Sequence, residues 1–266
     1  HAAMPRVLCN RVDAIEEHPA PRACWRTAIQ AGTTFGMNYV GTELELFQHA
    51  KHWKRYWTST VKFAVCGHVL DVGCGLGVNA RYVCNDRITG YTFLEPDARL
   101  LARVQQYAPP TSTIAQHTIH GTTKDLKGEQ FDTLLYIDVL EHLEDAVGEL
   151  QRARDLLRVG GHLIIVVPAF MFLYSPFDKA VGHYRRYDRR MLREQLPTAF
   201  HPVRMHYLDS AGLLLSLGNK LLLRHSTPTA GQIAFWDTCI VPLSRITDTL
   251  TLHTFGRSLV AVLRKS

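Results

Sequence analysis

The chain has 266 residues, with 30 Lys and Arg against 24 Asp and Glu, a formal charge of +6. Apolar types make up 46% and charged types 20%, which excludes a disordered or low-complexity chain. The longest apolar stretch, Leu163 to Tyr174, is broken by Pro168 and falls short of the ~20 residues that a spanning helix needs, so no transmembrane segment is expected.

His1-Ala2-Ala3 ahead of Met4 reads as a foreign remnant and is left out of fold reasoning. No charged flank followed by an apolar run opens the chain, so no secretory signal is expected. Cys9, Cys24, Cys66, Cys74, Cys84 and Cys239 are scattered, with no C-x-x-C pair. They read as reduced thiols of a cytoplasmic protein. The mild positive charge permits weak attraction to anionic partners and identifies none.

Residues 1–66 hold no convincing strand and read as a helical cap. From Thr42 to Phe63, Leu44, Leu46, Phe47, Ala50, Trp53, Tyr56 and Trp57 recur at helical spacing, with Lys51, Lys54, Arg55 and Lys62 on the polar face. His68 to Val72 is a short apolar strand. It runs into a glycine-rich turn and a helix from Asn79 to Cys84. Tyr91 to Leu94 is a second strand, and Asp97 is the N-cap of a helix reaching Tyr107. Thr113 to Ile119 is a weaker third strand, and Phe131 to Val139 a strong fourth. A helix from Leu143 to Leu157 is expected to stop at Gly160-Gly161. His162 to Val167 is a fifth strand, closed by Pro168. Residues 169–190 break the rhythm, with a helix from Asp188 to Gln195. Pro202 to Leu208 and Ser258 to Arg264 read as two final strands around an apolar helical insertion, 211–257.

Strands that alternate with helices and are apolar throughout imply an α/β fold, with a buried and mostly parallel sheet covered on both faces.

The sharpest signal is Leu70-Asp71-Val72-Gly73-Cys74-Gly75-Leu76-Gly77, between a strand and a helix. Glycines there let the chain turn tightly and let a ligand approach the backbone. The spacing is G-x-G-x-G, not the G-x-G-x-x-G of dinucleotide folds. Asp71 would repel a pyrophosphate and attract an ammonium group. Glu95, at the end of the next strand, can accept both hydroxyls of a ribose. An amine at one end and an adenosine ribose at the other describe S-adenosylmethionine. The plainer reading is an ordinary strand–turn–helix with surface carboxylates.

These segments resemble the class I S-adenosylmethionine-dependent methyltransferases. The resemblance is carried by DVGCGLG at 71–77, FLEPD at 93–97, FDTLLYIDVLEHLED at 131–145 and LLRVGGHLIIVVP at 156–168. YVGTELELFQHAKHWKRYW, FDKAVGHYRRYDRRML and FGRSLVAVLRK are similar to one bacterial subgroup with a GHxRRY motif. The resemblance implies a Rossmann-like seven-stranded sheet ending in an antiparallel hairpin. It places Asp71, Gly73, Cys74, Gly75 and Gly77 around the methionine part of the cofactor, with S-adenosylhomocysteine as product. It gives the ribose to Glu95, with Pro96 and Asp97 beside it, and the sulfonium region to Asp138 and Val139. Thr122 stands where many relatives carry an acidic adenine contact.

The implied chemistry is in-line methyl transfer, in which the protein positions the partners and excludes water. An oxygen acceptor benefits from a base. His142 and His183 are the candidates, against the plainer reading that His142 packs structurally in its turn. Tyr184, Arg185 and Arg186 are candidates for binding substrate, an Arg clamping a carboxylate or phosphate. Alternatively, Asp178 pairs with an arginine and the motif braces a lid. The leucines of 211–257, with Phe235 and Trp236, either roof an apolar pocket, form a homodimer face or pack on the sheet. Tyr39, Trp53 and Tyr56 either close over the cofactor or belong to the core. The dispersed histidines show no metal-ligand spacing, so no metal is expected. No N-P-P-Y or Pro-Cys motif argues for a nucleic-acid acceptor. The reading is methyl transfer to a small-molecule or lipid-like acceptor, at oxygen. An RNA or protein methyltransferase and a non-catalytic scaffold are the alternatives.

Overall fold

The computed structural model describes residues 43–109, 114–218 and 228–266. The expectations for Tyr39, for Leu221 to Leu223 and for the first forty-two residues of the cap lie outside them.

Strands β1 (Gly67–Val72), β2 (Ile88–Glu95), β3 (Ala115–His120), β4 (Phe131–Ile137), β5 (Leu157–Pro168), β6 (Phe200–Leu208) and β7 (Ser258–Lys265) form one sheet, ordered β3-β2-β1-β4-β5-β7-β6. β1 to β5 are mutually parallel, and β7 runs antiparallel between β5 and β6. The chain leaves β1 to one side for β2 and crosses back to β4 on the other. The gap above β1 and β4 is therefore the switch point at which open α/β sheets bind ligands. Val72 pairs with Tyr136 at this edge, so the turns after β1 and β4 open side by side.

The helices are α1 (Glu43–Phe47), α2 (Lys51–Val61), α3 (Ala80–Val83), α4 (Ala98–Leu101), α5 (Val104–Tyr107), α6 (Ala146–Leu156), α7 (Pro176–Ala180), α8 (Arg189–Gln195), α9 (Ser210–Gly218), α10 (Ala230–Phe235) and α11 (Val241–Leu250). A π-helical turn, Trp236–Ile240, joins α10 to α11. Side chains alternate across the strands. Val69, Leu135, Ile164 and Val260 meet Trp53, Trp57, Ile233 and Trp236 on one face. Leu70, Leu134, Ile165 and Leu259 meet Leu150, Ala153, Leu156 and Leu192 on the other.

The segment before β1 and the insertion before β7 are tied together by buried carboxylates. Helix α2 has no side-chain cap of its own. Asp237 supplies one, accepting from the backbone N–H groups of His52 and Trp53 at 3.1 and 2.8 Å. Asp248 does the same for α9, accepting from Asp209 and Ser210 N–H at 2.8 Å each, and it also takes the Tyr56 hydroxyl at 2.8 Å. A carboxylate at a helix start satisfies orphan donors and opposes the helix dipole.

Two local expectations are corrected. The helix after Asp97 is interrupted between Leu101 and Val104. Gly160-Gly161 does not stop α6: that helix ends at Leu156, and the glycines lie inside β5, where the pairing with β4 slips between Phe131↔Leu157 and Thr133↔His162. Gly160 takes φ +80°, which a bulge accommodates readily only with glycine.

Candidate active site

The turn after β1 holds Gly73, Gly75 and Gly77 at φ +61°, +56° and +70°. Any other residue pays for that left-handed backbone. A Cβ on Gly73 would press on Val139 at 3.0 Å, and one on Gly75 would only graze Leu44 at 3.4 Å. The Glu95 carboxylate reaches across from β2. It accepts from Gly75 N–H at 2.8 Å and from Asp97 N–H at 3.0 Å. Burial raises its pKa, against the opposing pull of those two donors. Asp97 caps α4 through Arg99 N–H at 2.8 Å. A carboxylate with spare lone pairs beside bare backbone fits a ribose and its attached chain, so these residues suit the implied nucleoside cofactor.

The turn opens into a cavity of about 1720 Å³. Pockets for one small ligand run to roughly 300–1,000 Å³, so this one has room for two molecules. Its walls come from the carboxyl ends of β1, β2, β4 and β5, from α1 and α2, and from the insertion helices. Gly73, Cys74, Gly75, Glu95, Pro96, Asp138 and Val139 all line it. Burial holds the Cys74 thiol well above its usual pKa, so it stays protonated. Asp138 adopts φ +56° and opens onto the cavity. The surrounding protein raises its carboxyl, while His183, Lys54 and Arg257 pull the other way.

His142 and His183 meet edge to face beyond Val139, with ring centroids 4.6 Å apart. Burial, then the neighbouring His183, lowers His142 to about 4, which leaves it neutral at pH 7. Asp178 is fully buried and organises the segment. It accepts from Arg186 at 2.8 and 3.1 Å, from Ser175 N–H and hydroxyl at 2.8 Å each, and pairs with His183 Nδ1 at 2.8 Å. Those donors hold its carboxyl well below the usual range. Arg186 thus braces this segment instead of presenting a free clamp. Glu141 is fully buried, and neither carboxylate oxygen has a partner. Burial raises its pKa far above normal.

Several expected site residues stand behind the wall. Asp71 is buried and accepts the Tyr91 hydroxyl at 2.9 Å; burial raises its pKa to about 7. Gly77 faces the core, where a Cβ would meet Val104 at 2.9 Å. Thr122 is turned to Asp125, its N–H and hydroxyl at 2.7 and 3.0 Å from one oxygen. Arg185 donates to the Glu144 carbonyl at 2.8 Å, whereas the half-exposed Tyr184 does line the cavity.

Trp53 and Trp236, two of the aromatics offered for the cavity, line it as a pair 5.8 Å apart, whereas Lys54, Glu141 and Arg257 were not anticipated. Arg257 lies 4.2 Å over the Trp236 ring and bonds Asp209 at 3.1 Å. Lys54 was readable. It shares the Ala50, Trp53, Trp57, Val61 stripe and so faces inward. Burial lowers its pKa to about 8, and its Nζ donates to the Phe47 carbonyl at 2.6 Å.

Comparison with known proteins agrees with the architecture. Residues 70–163 match the family described as a methyltransferase domain. Over 101 residues, 36% of this chain, it is 30% identical to a tRNA U34 carboxymethyltransferase of Shewanella frigidimarina, covering 30% of that protein. Over 110 residues, 36% of this chain, it is 29% identical to a ubiquinone biosynthesis O-methyltransferase of Dinoroseobacter shibae, covering 39% of that protein. The chain thus spans about a third of the length of these curated relatives. The N-methyltransferase NodS of Bradyrhizobium japonicum, solved with S-adenosylhomocysteine, superposes with TM-score 0.51 at 16% identity, covering 82% of this chain and 87% of that one. That likeness is one of fold.

Proposed function

We propose that this protein transfers a methyl group from S-adenosylmethionine to oxygen on a small-molecule or lipid-like acceptor. The single observation behind this reading is a cavity with two unlike ends. One end offers the glycine turn and Glu95; the other offers His142, His183 and Tyr184. When bound, S-adenosylmethionine supplies an electrophilic methyl on a sulfonium. In this reading Gly73 and Gly75 admit its amino-acid part against the backbone, and Glu95 accepts its ribose hydroxyls. Trp53 and Trp236, both buried, wall the cavity and exclude water from it. His142, neutral at pH 7, and His183, oriented by Asp178, stand where an acceptor hydroxyl must lose its proton.

Part of the basic set that a nucleic acid would use is taken up within the protein, although Lys51, Arg55, Arg190 and Arg193 stay exposed. Arg186 is bound to Asp178, Arg189 donates to the His253 carbonyl at 2.8 Å, Arg190 pairs with Glu194 at 2.8 Å, and Lys54 is buried. This favours the small acceptor over the tRNA acted on by one named relative.

The test is calorimetric titration with S-adenosylhomocysteine, followed by labelled methyl transfer to a panel of phenols, aliphatic alcohols and amines, with bulk tRNA alongside. Micromolar binding and label on a hydroxyl are expected. Absence of binding removes the reading, and label on tRNA alone replaces it with the RNA alternative.

A further inference from the structure

Glu141, His142 and His183 all line the cavity, although α6, β5 and α7 separate His183 from the adjacent Glu141 and His142 in sequence. Each offers one donor atom, and the three donors lie within 4.8 Å of one another. Two ligands about 2.1 Å from one ion sit no more than about 4.2 Å apart, so only small rotations are needed to close the set. Two imidazoles and a carboxylate form a donor set suited to borderline metals, not to the all-oxygen cations Mg²⁺ and Ca²⁺.

Glu141 supplies an independent observation. Its side chain is fully buried, it points into this cluster, and neither oxygen has a hydrogen-bond partner. A buried carboxyl group left unmatched is costly, and a proton, a water or a metal ion is what ordinarily satisfies one. The outer contacts fit as well. Metal-binding histidines usually give their second nitrogen to a carboxylate or a backbone carbonyl. His183 Nδ1 is 2.8 Å from Asp178, and His142 has the carbonyls of Val181 and Gly182 as partners. Asp178 is itself held by Arg186 and Ser175. The backbone is anchored too, with Tyr184 N–H donating to the Glu141 carbonyl at 2.7 Å and the Tyr174 hydroxyl to the His183 carbonyl at 2.6 Å.

We propose that Glu141, His142 and His183 bind one divalent first-row transition-metal ion of the Zn²⁺ or Fe²⁺ class at the acceptor end of the cavity. Three protein ligands with a coordination position open to the cavity match a reactive metal site, not a structural one. Resting on the methyltransferase reading, and taking over from the two histidines as bases because their ring nitrogens then hold the metal, the open position takes the acceptor oxygen and lowers its pKa so that its proton passes to water, which makes the favoured acceptor a phenol, enol or hydroxy acid able to ligate metal. The site itself stands apart from that reading.

The test needs no turnover. Full-length protein, stripped with chelator and confirmed folded by circular dichroism, is titrated with Co²⁺ and followed by visible absorption, with Zn²⁺ as competitor. One ion per chain is expected, with ligand-field bands and no thiolate charge-transfer absorption. Glu141→Gln keeps the side chain's shape and should fold, because no hydrogen bond is lost. It should weaken binding by at least the roughly 10- to 100-fold that loss of an outer partner costs. His142→Ala should do the same. A folded parent that binds no Co²⁺, thiolate bands, or unchanged affinity in Glu141→Gln overturns the proposal. Metal binding without methyl transfer to any hydroxyl overturns only the acceptor assignment.

Discussion

Replacing Glu95 by Gln separates the cost of folding from the cost of binding. In the structure the carboxylate is buried and accepts two backbone N–H groups, at 2.8 and 3.0 Å. Burial still raises its pKa above normal, so those donors do not fully offset the desolvation of the charge. Neutralising it relieves that penalty while leaving one N–H facing an amide NH₂. The two effects oppose, and the net change in fold stability should stay within about 1 kcal/mol. Binding should respond differently. A ribose diol loses a charged acceptor, worth about 2 kcal/mol, or roughly a 30-fold rise in Kd. Glu95→Ala, by contrast, leaves both N–H groups unmet. At about 1–3 kcal/mol each, that lowers the melting temperature by roughly 4–24 °C. The assay is calorimetry with S-adenosylhomocysteine beside thermal melts of the parent and both variants. If Glu95→Gln binds within threefold of the parent, the carboxylate does not hold the ribose, and the assignment of that end of the cavity fails.

Asp209 is fully buried and receives Gly212 N–H, the Ser244 hydroxyl, the Trp236 indole N–H and Arg257 at 3.1, 2.7, 2.9 and 3.1 Å. Asp209→Ala strands the Arg257 charge and should cost about 3–5 kcal/mol by denaturant unfolding; a loss under 1 kcal/mol would show that the network carries no weight. Gly77→Ala forces φ +70° on a side chain that meets Val104 at 2.9 Å, so chemical denaturation should register about 2–4 kcal/mol of lost stability. Lys54 has a folded pKa of about 8 against an ordinary value of 10.5, so the folded state carries fewer protons between the two. Parent stability relative to Lys54→Met should therefore rise across roughly pH 8 to 10.5 by about 3 kcal/mol, with the penalty fully present below pH 8; a flat difference across that range would mean that the ammonium is not desolvated.

The donor side of the cavity was written locally. Strand, glycine turn and following carboxylate are fixed by short-range rules: left-handed φ values that glycine adopts freely, apolar strands for a sheet covered on both faces, and an Asp at a helix start. The same rules placed the strands to within about three residues, except that β5 begins five residues before its expected start at His162. They failed at Gly160-Gly161, because a glycine pair signals a left-handed backbone without saying whether it ends a helix or bulges a strand. They also put Lys54 on a polar face, because a count of apolar residues does not say on which side of the helix Ala50, Trp53 and Trp57 place the lysine between them.

The proposed acceptor side, around His142 and His183, depends on contacts between distant segments. His142 and His183 looked dispersed along the chain, and only the return of the segment after β5 to the end of β4 brings their rings to 4.6 Å with Glu141 beside them. Asp237 and Asp248, which bind the insertion to α2 and α9, carry no pattern of their own. By itself the sequence determined the sheet, its order of elements and the cofactor turn, since backbone conformation and side-chain alternation are properties of neighbours. The tertiary structure alone decided which buried charges meet and which carboxylate is left without a partner. The cost of burying a charge depends on the groups that surround it, and those come from segments far apart in the chain.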